Sequence, residues 1–313
     1  MKRFVILFLL LIAVSDVFAQ STRPPVSSIP PRRKPVLNND EDYSAVSYDM
    51  YVPRPGANFL NLGISLLSSE TQVRTTAATT KGTGYGINLT YTHGLTSSFA
   101  YFVAQDIYGY KYDILNNGGT SEVNTLGPTL IGFKGMKTYL GSFFYYSGGY
   151  HAAMLEKRDD QSGLNIFTEN DRRDNFQLSA GFGALLGGFS LGGQYTYFIY
   201  QETENIFSNI VTKYKAGNGS RWKLYAQLEY RSKVGLSYGE EIIDTSDSST
   251  AGILTKNGYG KFEYQRTQLY TIIPISATTD FYGDITRIDR KNTNGFYSQY
   301  EYYLGSAAVR ISF

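Results

Sequence analysis

The chain has 313 residues, with 29 Lys+Arg, 27 Asp+Glu and a net charge of +2, and this near-neutral balance excludes a nucleic-acid binder driven by bulk charge. It has no Cys, which excludes disulfides, thiol catalysis, Cys-ligated zinc and iron–sulfur clusters, and its two His, His93 and His151, exclude a His-rich metal site. Aromatic residues reach 15%, with 28 Tyr, yet charged residues are 18% and mean hydropathy is -0.26. A helical membrane protein is more apolar, whereas a chain that meets lipid with every second residue averages to about this value.

Lys2 and Arg3 precede the apolar run Phe4–Val14, and Ser15–Gln20 carries small residues before a cut expected after Ala19. This pattern predicts a Sec signal peptide over 1–19. The run is too short to cross a bilayer as a helix. Residues 20–56 hold seven of the nine prolines, including Pro24, Pro25, Pro53 and Pro55. They predict an extended, disordered periplasmic arm with no core of its own. Two readings stay open for it: a solvated linker, or an arm that meets a periplasmic partner or the barrel lumen.

From Ala57 to Phe313 the dominant period is two. Leu60, Leu62, Ile64 and Leu66 alternate with small or polar residues, as do Tyr85, Ile87, Leu89 and Tyr91. Such alternation predicts strands with one apolar face. Phe99–Tyr112, Asn124–Phe133 and Thr138–Met154 follow, with a turn expected at Lys134–Lys137. The stretch 155–174 is the most charged loop of the chain. Further strands are expected at 176–186, 189–199, 222–231 and 234–238. Polar loops are expected at 201–219 and 240–257. In 258–277 the alternation breaks: Phe262 and Tyr264 share one parity, and Leu269, Ile273 and Ile275 the other. That break predicts a bulge or an extension beyond the bilayer. The last strands are 281–289 and 296–313. The final one, EYYLGSAAVRISF, places Ala307, Val309, Ile311 and Phe313 on one face and Arg310 on the other.

The count is twelve, with long polar connections after odd strands and turns of two to four residues after even ones. The region 57–313 resembles a bacterial outer-membrane β-barrel. The resemblance rests on the closing aromatic strand and on candidate girdle residues Tyr85, Tyr91, Tyr197, Trp222, Tyr230, Tyr238 and Phe313. It implies an all-β, transmembrane, antiparallel up-and-down barrel in the outer membrane of a Gram-negative bacterium. It also implies contact with outer-membrane lipid and lipopolysaccharide, and with the barrel assembly machinery through the C-terminal strand. A soluble β-sandwich is the competing fold, but it does not require the asymmetry of loop lengths.

An Arg or Lys on the lipid face near midplane costs roughly 2–4 kcal/mol, so strand charges are expected inside. Parity then nominates Asp106, Lys223, Gln227, Glu229, Arg231, Asp284 and Arg310 as lumen-lining. Inward Gly84, Gly86, Thr90, Ser179, Gly181, Gly183, Ser190, Gly192 and Ser306 are expected to leave space, although glycines also mark tight curvature. A narrow channel for ions or small polar solutes is the leading function, and a closed structural or adhesive barrel acting through its outer loops is the alternative. Barrel hydrolases of the phospholipase and lipid A deacylase families place His and Ser two residues apart. Neither His here has Ser two residues later, and no Asp adjoins His151 as in omptin-type proteases, so an enzyme using His151 requires a site assembled in space. No cofactor and no metal are expected.

Overall fold

The computed structural model describes residues 52–53, 55–73, 79–114, 119–152, 157–160, 174–207, 210–230, 232–259, 261–292 and 297–313. The expected signal peptide, most of the proline-rich arm, Arg231 and most of the charged loop 155–174 lie outside them.

The strands in chain order are β1 (Asn58–Val73), β2 (Thr79–Thr96), β3 (Phe99–Ile114), β4 (Gly119–Tyr139), β5 (Ser142–Ala152), β6 (Lys157–Asp160), β7 (Asn175–Leu185), β8 (Phe189–Tyr200) and β9 (Thr203–Phe207). They continue with β10 (Ile210–Tyr214), β11 (Gly217–Leu228), β12 (Lys233–Ile243), β13 (Ser246–Thr250), β14 (Ile253–Tyr259), β15 (Phe262–Pro274), β16 (Thr279–Asn292) and β17 (Tyr297–Ser312). Twelve of them, β1–β5, β7, β8, β11, β12 and β15–β17, form one closed antiparallel ring. The ring closes where β1 meets β17, from Phe59 opposite Ser312 to Val73 opposite Tyr297. Asn58 reinforces this seam. It exchanges backbone hydrogen bonds of 2.9 and 3.1 Å with Phe313, and its Oδ1 accepts from Tyr91 at 2.7 Å.

Closure removes every free sheet edge, which is the condition for β-structure in lipid. The outward side chains satisfy the second condition. Leu62, Ile64 and Leu66 on β1, Leu178 and Phe182 on β7, and Leu224 on β11 are all more than half exposed. Such a band is inadmissible in water and suited to acyl chains.

Several boundaries differ from the sequence reading. Lys134–Lys137 is not a turn but lies within β4. The chain reverses at Leu140–Gly141, with φ of 46° and 79°. The described residues of 68–81 and 113–123, which fall in the long polar connections expected after the first and third strands, are strand, because the rungs continue beyond the apolar band. β15 contains no bulge: its pairing with β12 and β16 is unbroken. Its parity breaks because Phe262 points inward and is buried while Leu269 points to lipid. The expected polar loops 201–219 and 240–257 contain the hairpins β9–β10 and β13–β14, which join in a second, four-stranded sheet beyond the long-loop end.

A bulge does occur on β4, where Gly127 and Pro128 together oppose Asp106. Pro128 cannot donate to a ladder, so a bulge is a position that tolerates it. Gln105 replaces the missing rungs: its Nε2 donates to the carbonyls of Asp106 (2.9 Å) and Gly127 (2.6 Å).

Candidate functional site: the barrel interior

The inward-facing residues form three levels. At the short-turn end is an apolar cluster of Ala100, Met136, Phe143, Tyr145 and Tyr225, joined by Val52 from the arm. Its rings occupy the space above glycines of neighbouring strands. A Cβ at Gly183 would meet Phe143 Cζ at 2.2 Å, and one at Gly192 would meet Tyr225 Oη at 2.4 Å. The expectation that inward glycines open the lumen is therefore wrong at Gly183 and Gly192, and likewise at Gly84, where a Cβ would meet Tyr110 Cδ1 at 2.6 Å. A glycine there is what lets a large ring from the next strand lie flat on the wall.

The middle level is a cavity of about 840 Å³. Asn61, Asn88, Thr90, Asp106, Ser147, His151, Gln177, Ser179, Gln194, Lys223, Gln268, Asp284 and Ser306 line it. Asn88 Nδ2 donates to Asp106 Oδ1. Gln268 Nε2 donates to Asp284 Oδ2 at 2.7 Å and Thr286 Oγ1 donates to the same oxygen at 2.8 Å. Ser237 Oγ in turn donates to Gln268 Oε1 at 3.1 Å. These bonds hold both carboxylates against the wall.

At the long-loop end is a second apolar cluster of Phe198, Tyr200, Ile243 and Phe262, with Tyr214 of β10 and Tyr264 packed against it. Arginines frame it. Arg290 Cζ lies 4.0 Å from the centroid of the Phe262 ring, and Arg221 Cζ lies 5.3 Å from that of Phe198. Glu241 Oε2 is shared by Arg266 (2.9 Å) and Arg221 (3.6 Å).

The nominated residues fall into separate places. Asp106, Lys223, Asp284 and Arg310 border the cavity. Arg310 is held toward the short-turn end by Asp280, with Nη2 at 2.6 Å and Nε at 3.1 Å from Oδ2, and lies over Phe59. Gln227 and Glu229 sit lower on the inner wall, away from the cavity. Gln227 Nε2 and Ser190 Oγ donate to Glu229 Oε1 at 2.7 and 2.6 Å, and Lys233 Nζ is 3.2 Å from Glu229 Oε2. Arg231 is outside the described residues. Sequence reasoning missed Arg221, Lys134, Arg266 and His151 as interior groups. Lys134 was assigned to a turn, and Arg266 to the stretch of broken parity. His151 faces the lumen: β5 presents its odd positions inward, and Asn175 Nδ2 is 3.0 Å from His151 Nδ1. Among the described residues no cluster of three or more His, Cys, Asp or Glu is arranged to hold a metal ion.

On the outer wall, Trp222 meets Tyr238 edge-on at 5.5 Å, and Tyr85, Tyr197, Tyr230 and Phe313 are exposed. Tyr91 also faces outward, beside Tyr101 and His93, whose Nδ1 is 2.7 Å from Asn58 Oδ1.

The sequence matches no family profile and no curated protein. The fold matches solved structures. The COG4313 outer membrane channel from Pseudomonas putida F1 superposes with a TM-score of 0.61 at 10% identity, covering 86% of this chain and 99% of that one. The translocator domain of the autotransporter NalP from Neisseria meningitidis gives 0.51 at 9% identity, over 85% and 91%. The transport unit of the autotransporter AIDA-I from Escherichia coli gives 0.50 at 9% identity, over 87% and 95%. At such identities the likeness is one of fold. With the closed ring and the exposed apolar band, it defines the protein as a bacterial outer-membrane β-barrel. Within that class it is a twelve-stranded barrel with a cavity of mixed polar and apolar lining inside it.

Proposed function

We propose that this barrel is a narrow outer-membrane channel for small polar solutes, anions foremost. The observation that carries the reading is the chamber of about 840 Å³ in the middle of the lumen. A barrel serving only as a scaffold has no need of a volume that holds many water molecules and presents amide, hydroxyl and charged groups. Five cationic side chains border it, Lys134, Arg221, Lys223, Arg266 and Arg310, against the carboxylates Asp106 and Asp284 and the two that pair with three of the cations, Glu241 and Asp280, an excess of one positive charge. In a narrow, low-dielectric passage such an excess favours anions in transit. Asp106 and Asp284 are also occupied by wall hydrogen bonds.

Planar-bilayer recording of the purified protein tests this. Discrete conductance steps are expected, with a reversal potential of anion-selective sign in a salt gradient. A flat baseline sinks the channel reading, and a cation-selective sign sinks the assignment of anions.

A second reading has its own observation. The β9–β10 and β13–β14 hairpins build a sheet outside the barrel, and the start of β14 exposes Ile253 (73%) and Leu254 (53%). On that reading the barrel is an anchor for a surface that meets a partner. Replacing the β13–β14 hairpin by a two-residue turn would then abolish adhesion without changing conductance.

A further inference from the structure

The arm preceding the barrel does not simply trail away from it. Val52 is fully buried, with 0% exposure, and Pro53 beside it is fully buried too. Val52 belongs to one buried cluster with Ala100 of β3, Met136 of β4, Phe143 and Tyr145 of β5, and Tyr225 of β11. These strands approach from different sides of the ring, so the dipeptide occupies the lumen itself at the short-turn end. Gly56 makes the reversal that brings the chain there. Its φ is +77°, a left-handed value that glycine adopts without strain. Its N–H donates to the Gly94 carbonyl at 2.8 Å, and Gly94 N–H donates to Ala57 O at 3.0 Å. The turn is thus pinned to the end of β2.

The inserted dipeptide suits an apolar mouth. A residue before proline is confined to extended conformations, so little freedom is lost on entry. Proline also brings no N–H into a site with few acceptors.

We propose that Val52–Pro53 is a tethered stopper: the periplasmic mouth of the barrel is a docking pocket for the chain's own arm, and withdrawal of this dipeptide connects the chamber to the periplasm. The proposal rests on the channel reading for its consequence, but not for its test. Because the chain has no Cys, a thiol introduced as Ala100→Cys in the full-length protein is a unique reporter of the pocket. Its rate of reaction with a membrane-impermeant maleimide is compared in the Val52 background, in Val52→Asp, in Val52→Gly with Pro53→Gly, and in the conservative Val52→Ile. Heat-modifiable migration on gels certifies the fold of each. Withdrawal predicts a rate raised by roughly ten- to a hundredfold in the first two variants, the effect on populations of losing one buried valine's contribution, and unchanged in Val52→Ile. Equal rates in all four folded proteins overturn the stopper. Conductance recorded in parallel separates the two readings. A faster thiol with no conductance in any variant upholds the stopper and sinks the channel. Conductance that is the same in all, with equal thiol rates, upholds the channel and sinks the stopper.

Discussion

The apolar clusters at the two ends of the lumen are built by different means. At the long-loop end the cluster belongs to the wall itself: Phe198, Tyr200, Ile243 and Phe262 all lie on strands β8, β12 and β15 of one arc of the ring, and Tyr214 packs against them from the outer sheet. At the short-turn end the aromatic lining is completed by a residue from outside the ring, Val52. The first cluster cannot leave the wall without unfolding strands. From the second, Val52 can leave at the cost of one valine's burial, about 1.5–3 kcal/mol. Packing density alone does not reveal this difference, since both clusters are buried to a similar degree. Chain connectivity does.

Substitutions at the two ends sharpen the contrast. The largest expected effect is Phe262→Ala, which empties a fully buried site and removes the face on which Arg290 rests. It should cost about 3–5 kcal/mol of barrel stability, read as a lowered urea midpoint in detergent. Val52→Ala should leave that midpoint nearly unchanged while raising conductance. A shift as large as that of Phe262→Ala would show the two clusters to be equivalent. Next is Arg310→Met, which strips Asp280 of its two charged hydrogen bonds and should cost about 1.5–3 kcal/mol by the same assay. Gly183→Val follows, because the new methyl groups collide with Phe143 and Tyr225. It should cost about 1–3 kcal/mol, with the strain relieved by prior Tyr225→Phe only in part. The smallest effect on stability is expected from Gly56→Ala, about 1 kcal/mol of left-handed strain, yet it should raise conductance by disfavouring the turn that inserts the stopper.

Much of the wall could be read from residues alone. Lipid selects apolar side chains at every second position, so Leu62, Ile64 and Leu66, or Ala307, Val309 and Ile311, announce their face without knowledge of any partner. Arg310 followed by parity, and the structure places it against Asp280. The interior was less legible because its contents are set by neighbours distant in sequence. Gly183 is small because Phe143 and Tyr225 lie over it, and nothing near Gly183 in the chain says so. Lys134 resembled a turn residue, being charged and next to Gly135, but it points into the lumen with its Nζ 5.8 Å from the centroid of the Phe102 ring. The actual reversal uses Leu140 in a left-handed conformation, which no propensity favours. Phe262 looked like a register error because an inward aromatic was not expected where the lumen should be open. Val52 was hidden in a segment whose prolines deny it secondary structure, and secondary structure was the only evidence of order a sequence could offer there.

The bulge on β4 has a dynamic consequence. In the β1–β2 and β1–β17 seams the register runs unbroken through the lipid-spanning band. Between Gln105 and Ile107 the wall is joined by the amide of one side chain, with Thr129 Oγ1 donating to Gln105 Oε1 at 2.5 Å. A side-chain amide has rotamers available to it that a ladder rung lacks, so this stretch of the β3–β4 seam opens at lower free energy than its neighbours. In amide hydrogen exchange, Ile107 and Gly127 should be the first positions within the lipid-spanning wall to take up deuterium. Gln105→Leu should hasten that uptake while slower-exchanging strands such as β8 and β11 keep their protection.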